Sequence, residues 1–114
     1  MIVFRDIKPA SQYHYLVIPK RHIKGANCLK TEDLPLLRKM IEIGKHVLAE
    51  NNGDVNDARL GFHWPPFNSI SHLHLHIISP VSKMGFFARQ IYRPDTFWFV
   101  TMDYMLKYLD TSKL

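Results

Sequence analysis

An antiparallel α+β domain is the fold class this sequence predicts, and three observations predict it. Segments rich in aromatic and β-branched residues recur at 13–18, 58–63 and 71–78, as strands do. One long segment, 34–48, carries apolar residues at spacings of three and four, the helical pattern. The order strand, strand, helix, strand, strand, joined by short connections, suits antiparallel pairing. With 114 residues and a hydrophobic fraction of 46%, the chain supports one core and one domain spanning 1–114.

Taken in order, Met1 to Asp6 reads as a short strand, and Lys8-Pro9-Ala10-Ser11 as a turn. Tyr13 to Ile18 is a strand stopped by Pro19, with His14, Leu16 and Ile18 on one face. Lys20 to Cys28 reads as loop. The helix begins near 32–34, because Pro35 is tolerated only in a first turn, and Thr31 or Asp33 is its expected cap. Its stripe is Leu34, Leu37, Met40, Ile41, Gly44, Val47 and Leu48. Gly44 costs about 1 kcal/mol against alanine in a helix and marks a close approach or a tolerated weakness. Asn51-Asn52-Gly53 ends the helix, with Gly53 the expected left-handed cap. Ala58 to His63 and the stretch from Ser71 to Ile78 flank a proline loop as a hairpin. Met84 to Ile91 reads as a short helix, Thr96 to Val100 as an aromatic strand, and Met102 to Leu109 as a terminal helix capped by Thr101.

Chemistry concentrates in Ser71-His72-Leu73-His74-Leu75-His76-Ile77-Ile78. Strand alternation sends the three imidazoles to one face and Leu73, Leu75 and Ile77 to the other. The apolar face needs a core. The imidazole face needs water, a ligand or polar partners, because unpaired buried rings are costly. Two chemistries suit three aligned titratable rings: a metal site, or a nucleophile with proton-transfer companions. Three same-face residues span about 13 Å, which converges poorly on one ion, so no metal and no cofactor are expected. In the nucleophile reading the middle ring, His74, attacks phosphorus while its neighbours orient it and move protons. His14 on another strand and Ser69 in the proline loop are within reach of that set. His46, off the helix stripe, reads as a solvated side chain, and His22 alone carries no signal.

The net charge of +5 is moderate, and Lys8, Lys20, Arg21, Lys24 and Lys30 cluster in the first third. That cluster is either a solvated surface or an attraction for an anionic ligand such as a nucleotide phosphate. No apolar run approaches the roughly 20 residues of a membrane helix, and no secretory leader reads at Met1, so no membrane partner is expected. Cys28 stands alone and suits a reducing compartment.

The stretch His72-Leu73-His74-Leu75-His76-Ile77-Ile78 resembles the motif of the histidine triad family. So do Phe4-Arg5-Asp6-Ile7-Lys8-Pro9 and the segment His14 to Ile23 upstream, Leu60-Gly61-Phe62-His63, the Pro65-Pro66-Phe67 loop, and the aromatics Tyr92 and Phe97-Trp98-Phe99. The details look most like the third branch of its nucleotide-binding proteins. The resemblance implies the family's fold, an antiparallel sheet with one long helix and a short C-terminal one. It also implies hydrolysis of nucleoside phosphoramidates and acyl-nucleotides. On it, His74 becomes nucleotidylated, His76 and His14 orient the triad, and His72 binds phosphate or assists the leaving group. Asp6 binds the ribose hydroxyls, Phe4 and Ile7 wall the base, and Ser69 sits near the phosphate. His63 stands where the commonest branch carries Asn and resembles aprataxin, which implies an alternative: removal of adenylate from nucleic-acid ends. A further alternative is a nucleotide-binding regulatory module with little turnover. The implied partner is a purine nucleotide conjugate of AMP rather than nucleic acid. A homodimer through the long helix, a cytoplasmic or nuclear location, and residues ahead of Phe4 that this chain lacks are also implied.

Overall fold

In the computed structural model the described residues are 1–65, 71–96 and 98–110. Five strands form one antiparallel sheet: β1 Ile2–Arg5, β2 Tyr13–Ile18, β3 Arg59–His63, β4 Leu75–Ser79 and β5 Phe99–Thr101, in the order β1-β2-β4-β3-β5. Three helices accompany it: α1 Leu34–Glu50, α2 Phe86–Ile91 and α3 Met102–Leu109. The α+β fold class expected from the sequence is the one observed.

Alternation along β2 and β4 divides the sheet into two faces. Tyr15 lies opposite Ile77 and Val17 opposite Leu75, and all four are buried on the face that α1 covers. Leu37, Met40 and Leu48 of the helix stripe complete that core. Gly44 meets the sheet here: a Cβ on it would lie 1.8 Å from Ile77 Cδ1 and 3.5 Å from Val17 Cγ2. The close approach hinted at by this glycine therefore joins helix to sheet within one chain. His14, His76 and Ile78 point to the opposite face. A smaller apolar cluster of Ala10, Ile78 and Met84, with Tyr92 packed against it, covers one end of that face. The rest is left for the site.

Several boundaries differ from expectation. The carboxylate of Asp33 does not cap α1; it turns back to the Lys30 N–H and pairs with Arg21, whose hydrogen bond holds it below the usual carboxylate range. At the far end Asn52, not Gly53, takes the left-handed conformation, at φ 67°. Gly53 N–H instead donates to the Leu48 carbonyl at 2.8 Å and Asn52 N–H to the Ala49 carbonyl at 3.0 Å, the paired bonds of a Schellman ending. Gly53 is needed for space, since a Cβ there would lie 2.2 Å from Leu48 Cδ1. The aromatic strand is shorter and later than 96–100. Thr101 ends it and, as expected, caps α3, its hydroxyl accepting from the Tyr104 N–H at 3.3 Å.

Candidate active site

The histidine strand begins later than its alternating pattern suggests. Only residues from Leu75 onward join the ladder, so His72 and His74 precede β4. Leu73 is nevertheless buried in the core with Leu75 and Ile77, held by its N–H donating to the Ile23 carbonyl at 2.6 Å. The apolar half of the pattern is thus kept without a strand, and it holds the imidazoles on the open side.

His14, His74 and His76 are buried, and His76 is the hub. Its ring lies 5.1 Å from that of His14, 4.9 Å from His74 and 4.9 Å from His63. The hydrogen bonds then assign protons. His14 Nδ1 accepts the Ala10 N–H at 2.9 Å, so in the neutral ring the proton sits on Nε2. That Nε2 lies 2.9 Å from His76 Nδ1 and 3.5 Å from Asp6 Oδ2, and its N–H donates to His76. His76 therefore carries its own proton on Nε2, a buried donor with no partner among the described residues. His74 Nδ1 lies 2.7 Å from the His72 carbonyl, which can only accept, so His74 presents the lone pair of Nε2. The central ring is thereby set up as a nucleophile by one backbone carbonyl.

Burial disfavours charge on His14, His63 and His76. It lowers His14 from 6.5 to about 4 against the raising influence of Asp6, and it lowers His76 well below its ordinary value, with the neighbouring histidines adding to the effect. His63 is lowered by burial too, partly offset by its bond from Nδ1 to the Trp98 carbonyl at 3.2 Å. Tyr92, which touches His14, His63 and His76, is pushed up to about 12 by burial and by Asp6.

Of the residues singled out from the sequence, His14, His63, His74, His76 and Asp6 come together. His72 stands at the end of the row. Its Nε2 donates to the Pro19 carbonyl at 3.2 Å, and its ring meets His22 edge-on at 5.0 Å. Asp6 is anchored by accepting the Lys8 N–H at 2.9 Å, leaving carboxylate lone pairs for a diol. Phe4 is 42% exposed and Ile7 93% exposed. Ile7 therefore projects into solvent instead of lining a closed wall, and Phe4, on β1, is itself exposed. Ser69 and the Pro66-Phe67 part of the loop lie outside the described residues.

Two contributors carried no role in the sequence reading. Tyr92 and Phe99 pack at 5.5 Å from one another and floor the cluster. Phe99 can do so because Gly61, directly opposite His76 in the sheet, has no side chain: a Cβ there would lie 2.7 Å from the Phe99 ring. The conspicuous signal was the glycine inside a strand, which marks close approach. Asp6, His14 and His76 offer three ligand atoms within 4.8 Å of one another. His14 Nε2 and His76 Nδ1 are already joined to each other by the 2.9 Å bond.

The family described as "Scavenger mRNA decapping enzyme C-term binding" matches residues 1–92. The chain is 50% identical over 110 residues to mouse (Mus musculus) "Adenosine 5'-monophosphoramidase HINT3", covering 96% of this chain and 67% of that protein. It is 47% identical over 113 residues to the protein of the same description from Xenopus tropicalis, covering 98% and 74%. A solved HIT family hydrolase from Legionella pneumophila superposes with a TM-score of 0.62 at 30% identity, over 68% of this chain and 70% of that one.

Proposed function

The chain belongs to the histidine triad family, and on that premise we propose that it is an adenosine 5'-monophosphoramidase-type hydrolase working through a nucleotidyl-histidine. The single observation that carries the reading is the 2.7 Å bond from His74 Nδ1 to the His72 carbonyl, because it frees Nε2 as a nucleophile. Attack forms the Nε2–P bond and breaks the P–N bond, and the amine leaves with a proton. The attacking ring becomes an imidazolium whose remaining N–H points at the same carbonyl, so the new positive charge is stabilised where it arises. The Nε2–H of His76 is the donor available to a phosphoryl oxygen or to the departing nitrogen. Water then displaces the histidine and releases AMP. Asp6 is proposed to hold the ribose and Phe4 to pack against a purine.

The partner in this reading is a small AMP conjugate. His63 suits the alternative of adenylated nucleic-acid ends as well, but the identity to HINT3 proteins over nearly the whole chain favours the small substrate. A homodimer and a reducing compartment, cytoplasm or nucleus, belong to the same proposal; the unpaired Cys28 supports the compartment. The test is release of AMP from adenosine 5'-phosphoramidate by the purified protein. His74→Ala should lower the rate by more than about a thousandfold. Wild-type turnover in that variant would overturn the mechanism.

A further inference from the structure

Beyond His74 the row of histidines runs into a basic cleft that the proposed reaction does not yet use. The narrow space at the nucleophile is lined by Lys24, Phe62, His63, His72 and His74. A second cleft, of about 430 Å³, is lined by Arg21, His22, Lys24, Lys30, Glu32 and Asp33. Lys24 lines both. The two are also joined through ring contact, since His22 in the second meets His72 in the first.

Charges within the second cleft are not equivalent. Arg21 is engaged by Asp33, so its charge is largely matched. Lys24 forms no ion pair with a described residue within 4.0 Å. Asp6 and His14 lie at the opposite end of the row, past His76. A nucleotide with its ribose at Asp6 and its phosphorus at His74 leaves the His72 and Lys24 end of the row free for what the leaving group carries as it departs opposite His74 Nε2.

We propose that Lys24 and the cleft it borders form a subsite for leaving groups that carry an anionic group, so that Lys24 sets substrate preference. This rests on the reading of His74 as nucleophile. Lys24 is exposed, and its charge would attract and hold a fixed anionic group on the departing amine across the short distance the cleft imposes.

The test uses a matched pair of adenosine phosphoramidates, of 2-aminoethyl phosphate and of ethanolamine. They share the scissile bond and differ in the terminal phosphate. For Lys24→Gln, kcat/KM on the phosphate-bearing conjugate should fall at least tenfold, with turnover of the ethanolamine conjugate within twofold of wild type. Lys24→Glu should deepen the loss, and Lys24→Arg should restore most of it. Equal effects on both conjugates, or none on either, would overturn the subsite. Should the wild type turn over neither these conjugates nor adenosine 5'-phosphoramidate, the hydrolase reading fails by itself. Calorimetric titration with inorganic pyrophosphate then decides the subsite: weaker binding to Lys24→Gln supports it, and unchanged binding refutes it.

Discussion

His14 and His76 are joined by one hydrogen bond, Nε2 to Nδ1 at 2.9 Å, across two paired strands. Because the Ala10 N–H fixes the acceptor on His14, the donors run in one direction and end at His76 Nε2–H. Removing His14 should leave His76 Nδ1 buried without a partner, at a cost of about 1–3 kcal/mol, and free its tautomer. We expect His14→Phe to lower kcat by roughly tenfold to a hundredfold with KM little changed. His14→Gln, which keeps a side-chain N–H, should recover part of the loss. Steady-state kinetics on both variants checks this; a change confined to KM would contradict the relay.

The same burial makes stability depend on pH. Folded His14 titrates near about 4 instead of 6.5, and His76 well below 6.5, so the unfolded chain binds more protons as pH falls through 6.5. Their neutral pairing is fully compatible with folding above 6.5, and stability is lost progressively between about 6.5 and 4. For His14 alone the displacement corresponds to about 3 kcal/mol. Urea unfolding at pH 7.5, 6 and 5 should show a steep decline that is shallower in His14→Phe. An identical slope in that variant would remove His14 as its source.

Gly61 links packing to chemistry. Its added Cβ would lie 2.4 Å from the Val100 carbonyl oxygen and 2.7 Å from the Phe99 ring. Backbone cannot yield cheaply, so Gly61→Ala should destabilise by about 1–3 kcal/mol. Phe99 should also be displaced toward His63 and His76, lowering turnover in the folded fraction. Denaturant midpoints and initial rates measured together test both parts.

Helix α1 ends on a non-glycine residue in the left-handed region, Asn52 at φ 67°. Asn52→Ala should cost about 1 kcal/mol or somewhat more, whereas Asn52→Gly should be nearly neutral. Both should leave turnover at wild-type levels, since α1 covers the face of the sheet opposite His14 and His76. Thermal unfolding distinguishes them.

What could be read from the sequence followed local pattern. Tyr13 to Ile18 was legible because branched and aromatic residues end at a proline, and α1 because its stripe persists for four turns. His72, His74 and His76 were legible as a set because alternation with buried leucines needs no strand to persist. Their division was not legible: it depends on Ile23 and Pro19, which reach the row only through the tertiary fold. Nor was the solvation of Ile7, since exposure is decided by what packs over a residue. Tyr92 entered through a helix and turn distant in sequence from every histidine it touches. Asn52 and Gly53 are both acceptable left-handed residues, and the choice rested on contact with Leu48.

The central claim is that His74 Nε2 bonds covalently to phosphorus. Acid-free rapid quenching during turnover of adenosine 5'-phosphoramidate, followed by mass spectrometry of proteolytic peptides, measures it directly. The account predicts an adenylyl adduct on the peptide containing His74, absent from His74→Ala and accumulating when water attack is slowed. Full turnover with no adduct on that peptide, or an adduct carried by His72 or His76 instead, would contradict it.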